Sequence, residues 1–179
     1  RKHTKLNREL LPDRYHFDIA AYRLSELLGF HLVPLSVERK VKGTKGVVQY
    51  WLENSYSEYT AKENDIKHMG YCSHKKQHNM MRIFDLLIYN TDRNQTNILF
   101  EANQDQMVWI DHSRAFADER KLPKNIKRNN IQISPKMRVA LLSLTFENLE
   151  PIMKGLLNRR QIRSILKRRD KILRLDPAD

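Results

Sequence analysis

The sequence holds one cysteine, Cys72, so no internal disulfide can form and packing and hydrogen bonds must hold the fold. Its five glycines, Gly29, Gly43, Gly46, Gly70 and Gly155, are scattered and nowhere build a glycine-rich loop that cradles a phosphate. No apolar run nears the roughly 20 residues of a bilayer span, so no transmembrane segment is expected. The opening Arg1-Lys2-His3-Thr4-Lys5 leads into no signal-like apolar region. Acidic residues are outnumbered, 21 against 33 Lys and Arg, leaving a net charge of +12. Such a surface attracts phosphate, whether on a nucleotide, a nucleic acid or an anionic membrane. The lone thiol suits a reducing compartment, so a cytoplasmic location is expected. Arg rather than Met opens the sequence, as in a fragment or a processed product.

What is present suits one compact unit, 179 residues with 40% apolar side chains. Leu11-Pro12-Asp13 predicts a helix start with proline in the first turn. Phe17, Ala20, Ala21, Leu24, Leu27 and Leu28 then recur at helical spacing, giving one apolar face that ends at Gly29. Asp18 stands at the margin of that face, where its carboxylate can turn toward a neighbouring element. Two β-rich runs, 32–37 and 47–52, flank a basic connection and predict an antiparallel hairpin, with Pro34 at an edge or interrupting the first run. Residues 53–75 lack periodicity and read as a polar linker with one short helix, the best internal boundary.

From Gln77 to Tyr89 apolar residues leave almost no polar face, which predicts a helix buried on most sides. Asp85 lies inside that run and must be hydrogen-bonded, as a brace for the loop that follows. Residues 97–100 and 107–110 predict a second hairpin, whose closure brings Asn97 and Asp111 face to face. After Phe116 the chain is basic and irregular as far as Ser134-Pro135, and three helical pieces follow. In the last of these, Asn158 and Gln161 have capping-box spacing, and Ile162, Ile165, Leu166, Ile172 and Leu173 share one face. Trp51 and Trp109, both in apolar runs, are expected in the core.

The chemistry concentrates between Phe84 and Phe116. Asp92 and Asn97 stand in an Asp-x-x-x-x-Asn spacing, and Asp111 ends the next apolar run. Phosphoryl transfer asks for one carboxylate that orients and deprotonates an acceptor hydroxyl, and for hard oxygen ligands that hold Mg2+ against the phosphates. Asp92 suits the first role and Asn97 and Asp111 the second, while Asn90 and Arg93 flank the base and either fix the loop or contact a phosphate. Asp and Asn are also ordinary turn and capping residues, so the spacing by itself is a weak signal. The buried helix before it and the hairpin ending in Asp111 after it strengthen the phosphoryl-transfer reading.

On Asn90-Thr91-Asp92-Arg93 with Asn97, then Ile110-Asp111, the sequence resembles the atypical branch of the kinase-like superfamily. That branch holds the HipA-like kinases, the secretory-pathway casein kinases and the phosphatidylinositol 3/4-kinases, and the overall likeness is nearest to bacterial members. The resemblance implies an α+β, protein-kinase-like fold, with a mostly helical large lobe and a partial small lobe made of a regulatory helix and a β-hairpin. Residues 1–54 would form the partial small lobe and hinge, and 55–179 the large lobe. It implies Asp92 as the catalytic-loop aspartate, Asn97 and Asp111 as metal ligands, and ATP and Mg2+ as cofactors. Asp18 falls where relatives more often have a glutamate that pairs with the nucleotide lysine, and Gln49, Tyr50, Trp51, Leu52 and Glu53 fall at the adenine-binding hinge. A phosphate loop and a strand lysine are not evident, and the first small-lobe strands are expected to be missing; Lys2 or Lys5 are the nearest stand-ins.

The expected activity is transfer of the terminal phosphoryl group of ATP to a hydroxyl on a protein, lipid or small molecule. The alternative is a pseudokinase or binding scaffold. Arg159, Arg160, Arg163, Lys167, Arg168, Arg169, Lys171 and Arg174 make the final helix strongly basic. A solvated face is the default there, with an acidic partner, nucleic acid or an anionic membrane as alternatives, although no aromatic residue in that helix serves base stacking. His68, Cys72, His74 and His78 match no familiar zinc framework and read as linker residues, and His112 reads as a surface or packing residue.

Overall fold

The computed structural model describes residues 14–176. The helix start expected at Pro12, and Lys2 and Lys5, lie outside the described residues. In chain order the elements are α1 (His16–Leu27), β1 (Ser36–Val41), β2 (Thr44–Gln49), β3 (Ser55–Ser57), α2 (Glu58–Glu63), α3 (His74–Ile88), β4 (Ile98–Glu101), β5 (Gln106–Trp109), α4 (Pro135–Leu142), α5 (Phe146–Ile152) and α6 (Arg159–Leu173). The architecture is α+β.

Helix α1 buries Phe17, Ala20, Ala21 and Leu24 of the expected stripe, with Leu28 just beyond its end and Ile19 beside it, whereas Leu27 is exposed. It stops where Gly29 takes a φ of 66°, with Gly29 N–H donating to the Glu26 carbonyl and Phe30 N–H to that of Ser25. This pair of bonds caps the last turn, and the left-handed residue it requires favours glycine.

The first hairpin forms, with its strands shifted from their predicted ends. Strands β1 and β2 pair antiparallel from Ser36↔Gln49 to Val41↔Thr44. Lys42 and Gly43 form a two-residue turn with φ of 48° and 86°. Positive φ at both positions matches the twist of the strands, so the ladder runs into what looked like a long connection. Residues 32–35 are not strand, and the predicted run is interrupted at Pro34. Trp51 overturns its expectation of burial: it is 77% exposed beyond the end of β2, whereas Trp109 is fully buried on β5.

The polar stretch 53–75 contains β3 as well as the expected short helix, α2. Strand β3 pairs with β4 and β4 with β5, giving a three-stranded antiparallel sheet. Three residues are too few for period-two patterning to show, so the strand exists only through its partner. Helix α3 starts at His74, three residues before the expected Gln77, because Ser73 caps it by accepting from Lys76 N–H. One apolar cluster runs from Phe17, Leu24 and Leu32 through Phe84, Leu87 and Trp109 to Leu141, Ile165 and Ile172. Core residues on both sides of residue 54 belong to it.

Helix α6 carries the predicted reciprocal cap between Asn158 and Gln161 and buries Ile162, Ile165 and Ile172. Its basic surface is not wholly solvated, because Arg168 is fully buried. Its guanidinium donates from Nε to the Leu87 carbonyl at 2.8 Å and from Nη1 to the carbonyls of Ala117 and Glu119. It lies 5.6 Å from the Tyr89 ring centroid, and burial pulls its pKa down to about 10, so it stays charged at neutral pH. Arg168 thus joins the last helix to the end of α3. Replacing it by Met leaves three carbonyls unpaired and is expected to cost about 2–4 kcal/mol by urea denaturation. Lys167→Met, on the exposed face, is expected to stay within about 0.5 kcal/mol, and equal effects would refute the structural role of Arg168.

Candidate active site

Helix α3 ends against its own buried carboxylate. Tyr89 takes the left-handed conformation, φ 59°, and the Tyr89 and Asn90 N–H groups both donate to the Asp85 carbonyl. The chain turns sharply there and enters the loop 90–97. Asn90, 1% exposed, donates from Nδ2 to Asp85 Oδ1 at 3.0 Å and accepts from Asp92 N–H at 3.2 Å. Asp85 therefore braces the loop as its position in an apolar run demanded.

Arg93 is the centre of the arrangement. Its Nε and Nη2 donate to the two oxygens of Asp85, each at 3.0 Å. Its Nη1 donates to the carbonyls of Asn97 and Ile110, each at 2.8 Å, and Nη2 also reaches His112 Nε2 at 2.9 Å. All five guanidinium N–H groups are thereby used. Of the two roles open to Asn90 and Arg93, the observed contacts are those of loop fixation.

The side chain of Asn97 donates from Nδ2 to Asp111 Oδ2 at 3.1 Å, so the hairpin brings these two residues together as expected. Asn97 ends the 3-10 turn Gln95–Asn97 immediately before β4, and Asp111 follows β5 with φ 57°. Asp tolerates this left-handed backbone better than most residues. Asp111 is exposed and its Oδ1 accepts from the Ser113 hydroxyl at 3.0 Å. Asp92 lies half-buried on the loop, and its Oδ2 accepts from Arg114 Nη1 at 3.1 Å.

His112 is fully buried, not on the surface. An arginine can only donate, so His112 Nε2 accepts from Arg93 and the imidazole proton sits on Nδ1. Burial, and next the Arg93 charge, hold its pKa well below the usual value and keep the ring neutral. The His112 backbone N–H donates to Asp18 Oδ1 at 2.7 Å, which fastens α1 to the segment carrying Asp111. The hinge candidates sit apart from this network. Tyr50 N–H donates to the Leu35 carbonyl and Gln49 Nε2 to the Ser36 hydroxyl, while the Leu52 carbonyl accepts from Ser55. Tyr50 and Trp51 are largely exposed, and Glu53 is exposed as well.

A family model described as HipA-like kinase matches residues 47–138, just over half of the chain and all of this constellation from Asp85 to Arg114. The chain belongs to the HipA-like kinase family. Its fold is that of the atypical kinase-like superfamily. A crystal structure of the Golgi casein kinase superimposes with a TM-score of 0.67, at 15% identity, over 98% of this HipA-like chain and 62% of that one. A second, of the Golgi casein kinase with Mn/ADP bound, gives a TM-score of 0.63 at 16% identity, over 98% and 63%. This HipA-like chain thus spans less than two thirds of the length of those kinases. No curated protein matches the sequence.

Sequence reasoning missed Arg114, whose only signal is its place three residues after Asp111, and the part His112 plays. Both depend on how the segment after β5 folds back over α3. The Arg93–Asp85 pair generates a sharp expectation. Asp85→Asn leaves a buried guanidinium without its counter-charge and is expected to cost about 3–5 kcal/mol in urea. Arg93→Lys keeps the charge but supplies three donors for five acceptor positions, and is expected to lose at least about 2 kcal/mol. Losses below about 1 kcal/mol for both would show that the pair does not anchor the loop.

Proposed function

We propose that this chain carries the acceptor-activating and metal-binding half of an ATP-dependent phosphotransferase, acting on a hydroxyl group. The single observation that carries the reading is the Asn97–Asp111 pair, 3.1 Å apart at the end of the loop that carries Asp92, with an arginine whose every donor is engaged binding the Asn97 and Ile110 carbonyls. The exposed Asp111 carboxylate and the amide oxygen of the largely buried Asn97 form a hard donor set suited to Mg2+, which takes few protein ligands and keeps the rest for water and phosphate. The Golgi casein kinase structure with Mn/ADP bound, similar in fold, supports a divalent metal and a nucleotide as ligands. When bound, the cation would offset the negative charge of the phosphates. Asp92 would accept the proton of the acceptor hydroxyl through its free carboxylate oxygen. Asn90 and Arg93 are positioning residues, since they touch Asp85 and the loop backbone.

Residues 1–54 would serve as the small-lobe part. The backbone of Gln49–Glu53 would meet adenine, and Asp18 would couple α1 to Asp111 through the His112 N–H. The acceptor class is a protein, lipid or small molecule. The exposed Arg159, Arg160, Arg163, Lys167 and Arg174 of the last helix would attract an acidic partner. Among the described residues no helix is long and apolar enough to cross a membrane.

A second reading, a nucleotide-binding scaffold without turnover, is favoured by the Arg114–Asp92 ion pair, which occupies one oxygen of the proposed base. Turnover of Mg-ATP by the full-length protein separates the two. Asp92→Asn is expected to lower it at least about 100-fold with nucleotide affinity retained. Asp111→Ala is expected to abolish both turnover and the metal dependence of nucleotide binding. Equal activity in wild type and both variants would sink the phosphotransferase reading, and wild-type binding without turnover would favour the scaffold.

A further inference from the structure

At the end of the β4–β5 hairpin remote from Asn97 and Asp111, three other side chains converge. His68 lies in the segment after α2, His74 opens α3, and Asp105 closes the hairpin turn with φ 55°. His68 Nδ1 is 2.8 Å from Asp105 Oδ1, and His74 Nε2 is 3.7 Å from Asp105 Oδ2. One ligand-type atom from each lies within 4.8 Å of the other two. A tetrahedral Zn2+ with bonds of about 2.0–2.1 Å sets its donors about 3.3 Å apart, a spacing that falls between the two distances to Asp105.

A second observation points the same way. His74 Nε2 is shielded from solvent and has no hydrogen-bond partner, although it faces Asp105. A buried polar atom left unsatisfied is costly, and a cation between His74 and Asp105 would satisfy it.

The surroundings hold the three donors in place. Asp105 is oriented by the Tyr56 hydroxyl at 3.0 Å and by Gly70 N–H at 3.2 Å. A Cβ at Gly70 would stand 2.7 Å from both Asp105 Cβ and the Gln104 carbonyl oxygen, so the segment passes as close to the turn as a glycine allows. His74 stacks on Phe100 with an interplanar angle of 7°. Such outer contacts fix ligand orientation in metal sites. His78 is engaged elsewhere, 3.3 Å from Glu58, so the histidines that looked irregular in sequence sort into two groups once Asp105 joins them.

We propose that His68, His74 and Asp105 form a structural Zn2+ site that clamps the segment between α2 and α3 onto the β4–β5 turn. Two imidazoles and a carboxylate suit zinc, whereas Mg2+ and Ca2+ prefer all-oxygen sets. Asp105 also lines a cleft together with Met69, Gly70 and Cys72. The site does not rest on the phosphotransferase reading, since Asp92, Asn97 and Asp111 take no part in it.

The full-length protein, purified without chelator, is expected to hold about one zinc per chain by mass spectrometry. Co2+ exchanged into it is expected to give visible ligand-field absorption, and chelation to lower Tm by roughly 5 °C. His74→Phe keeps the ring stack on Phe100 but removes the donor, so it is expected to lose both the zinc and the chelator response; His68→Asn is the second ligand variant. Asp111→Ala is expected to keep the zinc, which separates it from any metal at the phosphotransfer site. Wild type that neither carries nor takes up stoichiometric zinc would overturn the proposal, as would equal binding by wild type and both ligand variants.

Discussion

One guanidinium decides the shape of the site. Arg93 spends its five N–H groups on Asp85, on the carbonyls of Asn97 and Ile110, and on His112. These four partners come from the buried helix, from both ends of the hairpin and from the segment beyond it. A planar fork can meet all of them in only one arrangement, so satisfying Arg93 fixes where Asn97 and Asp111 lie. Net stability is not the main yield of such a pair, because desolvating two charges offsets much of their attraction. What it contributes is geometry, since any alternative path of the loop strands a buried charge.

The hairpin then works as a ruler between two centres. At one end, Asn97 leads into β4 and Asp111 leads out of β5, so the Ile98↔Trp109 pairing sets the separation of their side chains. At the other end Asp105 draws His68, Tyr56 and the Gly70 N–H around it. Gln77 of α3 ties this end to the helix by donating to the Asp105 carbonyl and accepting from Met107 N–H. Helix α3 thus holds both ends of the hairpin, through Gln77 near its start and Asp85 near its end. Helix α1 joins where Asp18 accepts from His112 N–H and Phe17 packs on Phe116.

The misread residues share a cause. Trp51 and Trp109 sit in similar apolar runs, yet Trp51 is exposed and Trp109 buried, because β2 belongs to a two-stranded sheet and β5 packs against α3 with Phe84. Arg168 looks like one more cation on a basic helix until α6 is laid against the end of α3. There Leu87, Ala117 and Glu119 offer carbonyls that the apolar core cannot satisfy. Strand β3 was hidden because its pattern is too short to carry a period, and only pairing with β4 defines it.

The sequence by itself determined the helices with long apolar stripes, both hairpins, the capping of α6, and the meeting of Asn97 with Asp111. All of these follow from spacings within about 20 residues, where periodicity and turn chemistry act locally. Asp85 was also legible, since a carboxylate inside a buried helix has to be paired. Tertiary structure alone decided who pairs with whom. The five-bond seat of Arg93, the Asp92–Arg114 pair, the burial of Arg168 and the meeting of His68 and His74 with Asp105 each join segments that no local rule relates. Their physical reason is common to all: a buried donor or acceptor must be satisfied by whatever the packing brings within reach, and packing is a property of the whole chain.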